Sequence, residues 1–173
     1  PVTASAPSFL AEVTAAPGTI AAGSTWVTLA AANATWNDST LPNNDSTGVF
    51  VPATGIFTVP ATGIYAISAA VAFAGNSTGN GGGGISGRRA IRQARIRNTT
   101  TSATMAFGEV QTQSFVQNPS RIGLIVANIS VTLGDNIVVQ ARHDATSALL
   151  LSVAEDGVPT QGPATYFSAH RVF

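Results

Sequence analysis

The side chains able to move a proton or hold a metal are few and scattered. There are two histidines, His143 and His170, each ending a short apolar run beside a charge, Asp144 and Arg171 respectively. A histidine does general acid–base work only when a nucleophile and an orienting acid converge on it. Neither neighbourhood supplies them, so no enzymatic activity is expected. No H-x-H or H-x3-H spacing occurs, and cysteine is absent, which removes thiolate catalysis, disulfides and Cys-ligated zinc. Oxygen ligands remain. Asp135 with Asp144, or the adjacent Glu155 and Asp156, are carboxylates of the kind that bind calcium. The sequence around them forms no diagnostic loop, and solvated turn carboxylates are the favoured reading, with no cofactor expected. The glycine run 81–84 lacks the Lys-Ser/Thr of a phosphate loop.

Arginine is the one charge anomaly. All eight cationic residues are Arg, and five of them, Arg88, Arg89, Arg92, Arg95 and Arg97, lie within ten positions. Such a cluster suits an anionic contact: a partner protein's acidic patch, nucleic acid or an acidic glycan. The plain alternative is a solvated strand salt-bridged to scattered acids. No aromatic stacking platform is interleaved with the arginines, which argues against nucleic acid. Six Asn-x-Ser/Thr sequons (Asn33, Asn37, Asn44, Asn76, Asn98, Asn128) matter only for a chain secreted by a eukaryote.

The elements that must position these groups read as strands. Beta-branched and aromatic residues come in short runs separated by Gly, Pro, Asn, Asp and Ser, the pattern of an all-β domain. Strands are expected over 8–15, 24–30, 64–74, 90–98, 103–116, 121–132, 136–143, 147–153 and 164–173. Alternation is strictest in 64–74, where Tyr65, Ile67, Ala69, Val71 and Phe73 share one face. Its other face carries Ala66, Ser68, Ala70 and Ala72, small residues suited to close packing by a second surface. Segment 88–101 is ambiguous, because Arg88, Arg92 and Arg95 also stand at helical spacing. Its ending in Asn-Thr-Thr-Thr and its place among strands decide for a strand. Residues 75–87 are glycine-rich and read as an exposed loop. Val-Pro-Ala-Thr-Gly-Ile occurs twice, at 51–56 and 59–64. Pro presets φ and Gly accepts a positive φ, so each copy is expected to form the same turn.

The 173 residues are enough for one domain with a real core. Hydrophobic residues make up 45% and charged residues 9%, against about 25% charged in an average domain. So few charges imply that much of the surface is covered by copies of the chain or by a larger assembly. Net charge is zero. No apolar run reaches the roughly 18 residues of a membrane span, so no membrane partner is expected. No uncleaved signal peptide is visible.

Asp45, Phe50, Phe57, Gly63 and Tyr65 stand at the spacing D-x4-F-x6-F-x5-G-x-Y, which resembles the central signature of the C1q domain, a relative of the tumour necrosis factor fold. Phe167–Phe173 resembles the family's closing strand, and Leu133-Gly134-Asp135-Asn136-Ile137 its turn before a late strand. The sequence departs from the family in having Trp36 near, but out of register with, the place of an earlier aromatic at Ser39. Ile67 and Ala69 stand where aromatics are usual. The resemblance implies a ten-stranded jelly-roll β-sandwich assembling as a compact homotrimer, with Phe57 and Tyr65 as anchors on neighbouring strands brought together by a tight turn at Gly63. It covers roughly 45–73 and 130–173. Residues 46–173 are expected to form the jelly-roll core, and 1–45 a docking segment continuous with it.

The functional expectation is a non-enzymatic knob on the surface of a larger particle, most plausibly a phage virion, held by a capsid or fibre protein. The alternative is a secreted or surface-displayed module recognising glycans or a protein receptor through apical loops such as 75–87 and 155–163.

Overall fold

Alternating apolar residues over five to twelve positions can satisfy their backbone and bury one face only by pairing as strands. That is what they do: no helix occurs among the described residues. The computed structural model describes residues 8–13, 19–21, 23, 25–37, 49–73, 90–112, 120–144, 149–151 and 165–172. Asp45, Arg88, Arg89, Glu155, Asp156 and both expected apical loops lie outside them.

The strands in chain order are β1 (Ser8–Val13), β2 (Thr19–Ile20), β3 (Val27–Thr28), β4 (Trp36–Asn37), β5 (Phe50–Val51), β6 (Ile56–Thr58), β7 (Gly63–Phe73), β8 (Ala90–Asn98), β9 (Ala103–Thr112), β10 (Ser120–Val131), β11 (Asn136–His143), β12 (Leu149–Leu150) and β13 (Tyr166–Arg171). The first sheet runs β10-β7-β13-β1-β4 and the second β5-β6-β11-β8-β9. These are the ten strands of a jelly-roll sandwich. In addition β3 joins the β6 side of β11, at Gln140 and Ala141, and β2 pairs with β12. All of these pairs are antiparallel. The chain crosses between the two large sheets at β3–β4, β4–β5, β6–β7, β7–β8, β9–β10 and β10–β11.

Segment 90–98 is strand β8, as its Asn-Thr-Thr ending indicates. Asn98 Oδ1 accepts from the backbone N–H of Thr100 and Thr101 at 3.0 and 3.2 Å, which turns the chain into β9. The expected inward face of β7 is buried at Tyr65, Ile67, Ala69, Val71 and Phe73, but the alternation ends at Ala69, because Ala70 and Ala72 of the other face are buried as well. Four short strands, β2, β4, β5 and β6, escaped the strand pattern because two or three residues carry too little periodicity to read.

Residues from both ends of the chain meet in the core. Phe9 of β1 stacks on Phe50 at 5.0 Å between centroids, meets Phe57 at 4.8 Å and takes Phe167 edge-on at 5.0 Å. Trp36 closes the cluster edge-on to Phe50 at 5.7 Å, and its Nε1 donates to Leu29 O. It is the buried aromatic that the sequence placed out of register. Residues 8–13 and 27–37 of the N-terminal segment are thus used inside the sandwich.

Phe57 and Tyr65 do not sit on neighbouring strands. They lie in different sheets and face each other across the core at 6.1 Å. The repeated hexapeptide also takes two shapes. Copy 51–56 is a hairpin turn, with Thr54 and Gly55 N–H bonded to Val51 O and Gly55 at φ 66°. Copy 59–64 is the crossover to the other sheet. Gly63 lacks a positive φ and opens β7 opposite Val131. One local bond and two long-range side-chain bonds hold this second copy. Tyr65 Oη donates to Ala61 O, Arg171 Nη2 donates to Thr62 O, and Thr62 Oγ1 accepts from Leu133 N.

Gly55 packs so closely that an added Cβ would lie 1.9 Å from Leu29 O, whereas Gly134, at φ 85°, has open space around it. We expect Gly55→Ala to cost about 2–4 kcal/mol, since both the left-handed backbone and a backbone clash oppose it. Gly134→Ala should cost only about 1 kcal/mol. Equal losses in urea denaturation would show that the Leu29 carbonyl yields.

Candidate functional site

Strand alternation divides the Arg cluster. On β8 the even positions Arg92, Ala94, Ile96 and Asn98 face inward and are buried, while Ile91, Gln93, Arg95 and Arg97 face outward and are partly exposed. Arg92 is 0% exposed, so it is not part of any surface contact. It lies 5.6 Å over the Phe73 ring and its Nη1 donates to Ser120 Oγ at 2.7 Å, tying the two sheets together. Burial lowers its pKa from the ordinary value.

Opposite Arg92 in the register stands His143, also buried. Its Nε2 is 3.0 Å from Ile20 O, and its Nδ1 is buried with no hydrogen-bond partner. Burial is the main cause that holds its pKa below the ordinary value, with the Arg92 charge adding to it; the Ile20 carbonyl and Asp144 pull the other way. His170, by contrast, is exposed on β13 in the other sheet. The two histidines do not converge.

The proposed calcium pair separates as well. Asp135 and Asp144 flank the eight-residue strand β11 at its two ends, nine positions and roughly 30 Å apart at strand rise. Asp135 Oδ2 accepts from Thr132 N at 3.0 Å and closes the turn after β10, while its own backbone carbonyl accepts from Val59 N. Asp144 Oδ1 accepts from Ile91 N at 2.7 Å and tethers the end of β11 to β8. Beside Asp144 lies a cavity of about 190 Å³ lined by Ile91, Gln93, Arg142, His143 and Asp144.

The outward face of the second sheet holds an organised constellation that the sequence did not reveal. Gln140 lies opposite Arg95, and Arg142 opposite Gln93. Arg95 Nε donates to Gln140 Oε1 at 2.8 Å and Arg142 Nε donates to Gln93 Oε1. Trp26, just before β3, lies against both guanidinium groups, whose Cζ atoms stand 4.2 and 4.7 Å from its ring centroid. Gln140 Nε2 donates to Thr28 Oγ1, and Phe107 of β9 meets Trp26 edge-on at 6.3 Å. Glu109 accepts from Gln93 and Gln111, and these bonds, Gln93's first, lower its pKa. Burial, then the neighbouring Arg97 and Arg142 charges, lower the pKa of Arg95. The Trp26–Arg contacts arise because β3 is laid beside β11, a long-range pairing with no signature in local spacing.

The outward face of the first sheet differs. Ala66 and Ser68 of β7 are half-buried there, while Ala70 and Ala72 are already covered within the chain; Gly123 stands opposite Ala70 and Ser168 opposite Ser68. The two serine Oγ atoms are 2.8 Å apart. Ile125, opposite Ser68 on β10, is 78% exposed, and half-buried Leu10 stands opposite Ser168. Charges sit at the rim, where Arg121 lies 5.8 Å over Tyr166.

Among the described sequons, Asn33 and Asn98 are buried and hydrogen-bonded within the fold, while Asn128 is exposed at a bulge in β10 with φ 55°.

No protein-family model and no curated protein matches the chain. Solved structures do. The Eiger TNF structure from S. frugiperda is similar at TM-score 0.55 and 12% identity, over 98% of this chain and 94% of that one. A murine APRIL crystal structure is similar at TM-score 0.53 and 16% identity, over 95% and 98%. The globular domain of zebrafish complement 1qA has TM-score 0.49 and 13% identity, over 96% and 98%. At these identities the shared property is the fold, and the first two structures make it the tumour necrosis factor-like jelly roll.

The Arg92–His143 pair generates a pH dependence. Because the folded state holds His143 below its unfolded pKa, the unfolded chain binds the extra proton first. Stability is therefore full above about pH 6.5 and falls as pH drops through the folded pKa. Urea unfolding between pH 8 and 5 should show this decline, and His143→Gln should flatten it; an unchanged slope in the variant would assign the decline to other groups.

Proposed function

We propose that the chain is a non-enzymatic structural and recognition knob that works as a homotrimer on the surface of a larger particle, with a virion capsid or fibre as the setting. The observation that carries this reading is the outward face of the first sheet. Its accessible part is small, with half-buried Ala66 and Ser68 of β7 beside exposed Gly123 and Ile125 of β10, and Ile125 is 78% exposed. Covering Ile125 in an interface would contribute about 1.5–3 kcal/mol per protomer. Rim charges, not central ones, suit a symmetric self-contact whose core must be dry. The jelly-roll fold supports the threefold arrangement expected from the sequence resemblance. The particle setting is supported by composition, since 9% charged residues and zero net charge suit a chain whose surface is largely covered.

A second reading, an extracellular or surface-displayed module that binds a glycan or a protein receptor, is favoured by the Trp26–Arg95–Arg142 constellation, which is more ordered than a solvated face requires.

Native mass spectrometry is the direct test. We expect a species of about 52 kDa, three chains of 17.5 kDa. Ser68→Arg, which puts a charge on this face without touching the core, should give the single-chain mass with the strand circular-dichroism signal intact. A wild-type monomer would overturn the assembly. Incorporation of the purified trimer into particles would then separate the particle setting from the binding module, for which specific glycan-array binding is the expected result.

A further inference from the structure

The outward face of the second sheet is a place where like charges are gathered and fixed in advance. Arg95, Arg97 and Arg142 lie close enough for the last two to depress the pKa of the first. Neither Arg95 nor Arg97 forms an ion pair among the described residues, and the neighbouring carboxylate, Glu109, is held by two glutamine amides. Folding has already ordered two of the three guanidinium groups, those of Arg95 and Arg142, while the Arg97 Nε is buried with no hydrogen-bond partner among the described residues. Gln140 and Gln93 take the Nε hydrogens of Arg95 and Arg142, and Trp26 stacks against both. The terminal nitrogens of Arg95 are not buried and bond to none of the described residues. Little side-chain entropy is left to lose when an anion arrives.

We propose that this face, centred on Arg95, Arg97, Arg142 and Trp26, docks an extended acidic segment of a partner protein whose alternate side chains are carboxylates. Three features choose this occupant. The planar nitrogen fork of Arg95 matches a carboxylate in two parallel hydrogen bonds. Arg95 and Arg97 are two residues apart on one strand, hence about 6.6 Å, which is also the spacing of carboxylates two residues apart on an extended peptide. Phe107, opposite Arg95 in the register and 54% exposed, offers an apolar shoulder to the segment's flanking residues. Trp26 is already stacked by guanidinium groups, which leaves it poorly suited as a platform for nucleic-acid bases. The proposal does not depend on the trimer or on the particle setting.

The test uses the full chain and two fluorescein-labelled peptides of identical composition, one alternating Glu with Thr and one carrying its Glu residues as a block. Anisotropy titration should show tighter binding of the alternating peptide. Arg95→Gln should weaken that binding at least tenfold, in line with the loss of a charge-assisted pair of hydrogen bonds. Arg95→Lys, which keeps the charge and loses the fork, should weaken it nearly as much. Arg121→Gln, on the other sheet, should leave it unchanged. Both Arg95 variants alter a partly exposed side chain, and retention of fold is read from the strand circular-dichroism signal. The proposal is overturned if the two peptides bind alike, if Arg95→Lys binds as the wild type does, or if Arg121→Gln weakens binding as much as Arg95→Gln. It is equally overturned if neither peptide binds, or if a sulfated polysaccharide binds through Arg95 and the peptides do not.

Discussion

The sandwich depends on the contact of Phe9 with Phe50, Phe57 and Phe167. Two of those rings come from the second sheet and one from the first, so a side chain near the N-terminus sits at the centre of the contacts that join the two layers. Stacked and edge-on rings at about 5 Å bury large apolar area and also prefer defined angles, which fixes how the sheets sit over each other. The short strands β4, β5 and β6 exist because they deliver Trp36, Phe50 and Phe57 to this point. Their two or three residues could not stand as independent sheet. What looked in the sequence like a leading segment before a core is the source of the core's central ring.

Alternation along a strand then sorts chemistry by side. One residue of offset separates Arg92, which spans the core to Ser120, from Arg95 and Arg97, which face outward. A run that looks like one basic patch is two devices, an internal tie and an external face. The internal tie places a guanidinium beside His143 and makes a proton on that histidine costly. The external face keeps its guanidinium groups in register by crossed Arg–Gln pairs between β8 and β11.

The two outward faces are unlike for a physical reason. The first sheet places Ala, Ser and Gly on its central strands, and a surface of small side chains gains little unless another surface comes close. The second places long, hydrogen-bonded side chains outward, which stand off from a flat partner and favour a narrow anionic one.

Much of this was legible in the residues. Periodicity determined the β7 strand and its inward face, because a period of two is a local property of the chain, whereas β8, whose spacing also fits a helix, was decided by its Asn-Thr-Thr ending and its place among strands. The D-x4-F-x6-F-x5-G-x-Y spacing identified the jelly roll because it records rings that must meet. The Arg–Trp constellation was not legible, since Trp26 reaches Arg95 and Arg142 only through the pairing of β3 with β11. The separation of Asp135 from Asp144 was likewise hidden in the length of one strand. The clearest division lies in the repeated Val-Pro-Ala-Thr-Gly-Ile. By itself it determined that the chain must bend at 51–56 and again at 59–64. Only the tertiary structure decided that the first bend is a hairpin and the second a crossover. At the first copy the bonds are local, Val51 O to Thr54 and Gly55. At the second, Arg171 and Leu133 capture Thr62, and Gly134 and Asp135 capture Val59, so distant partners outweigh identical local preferences.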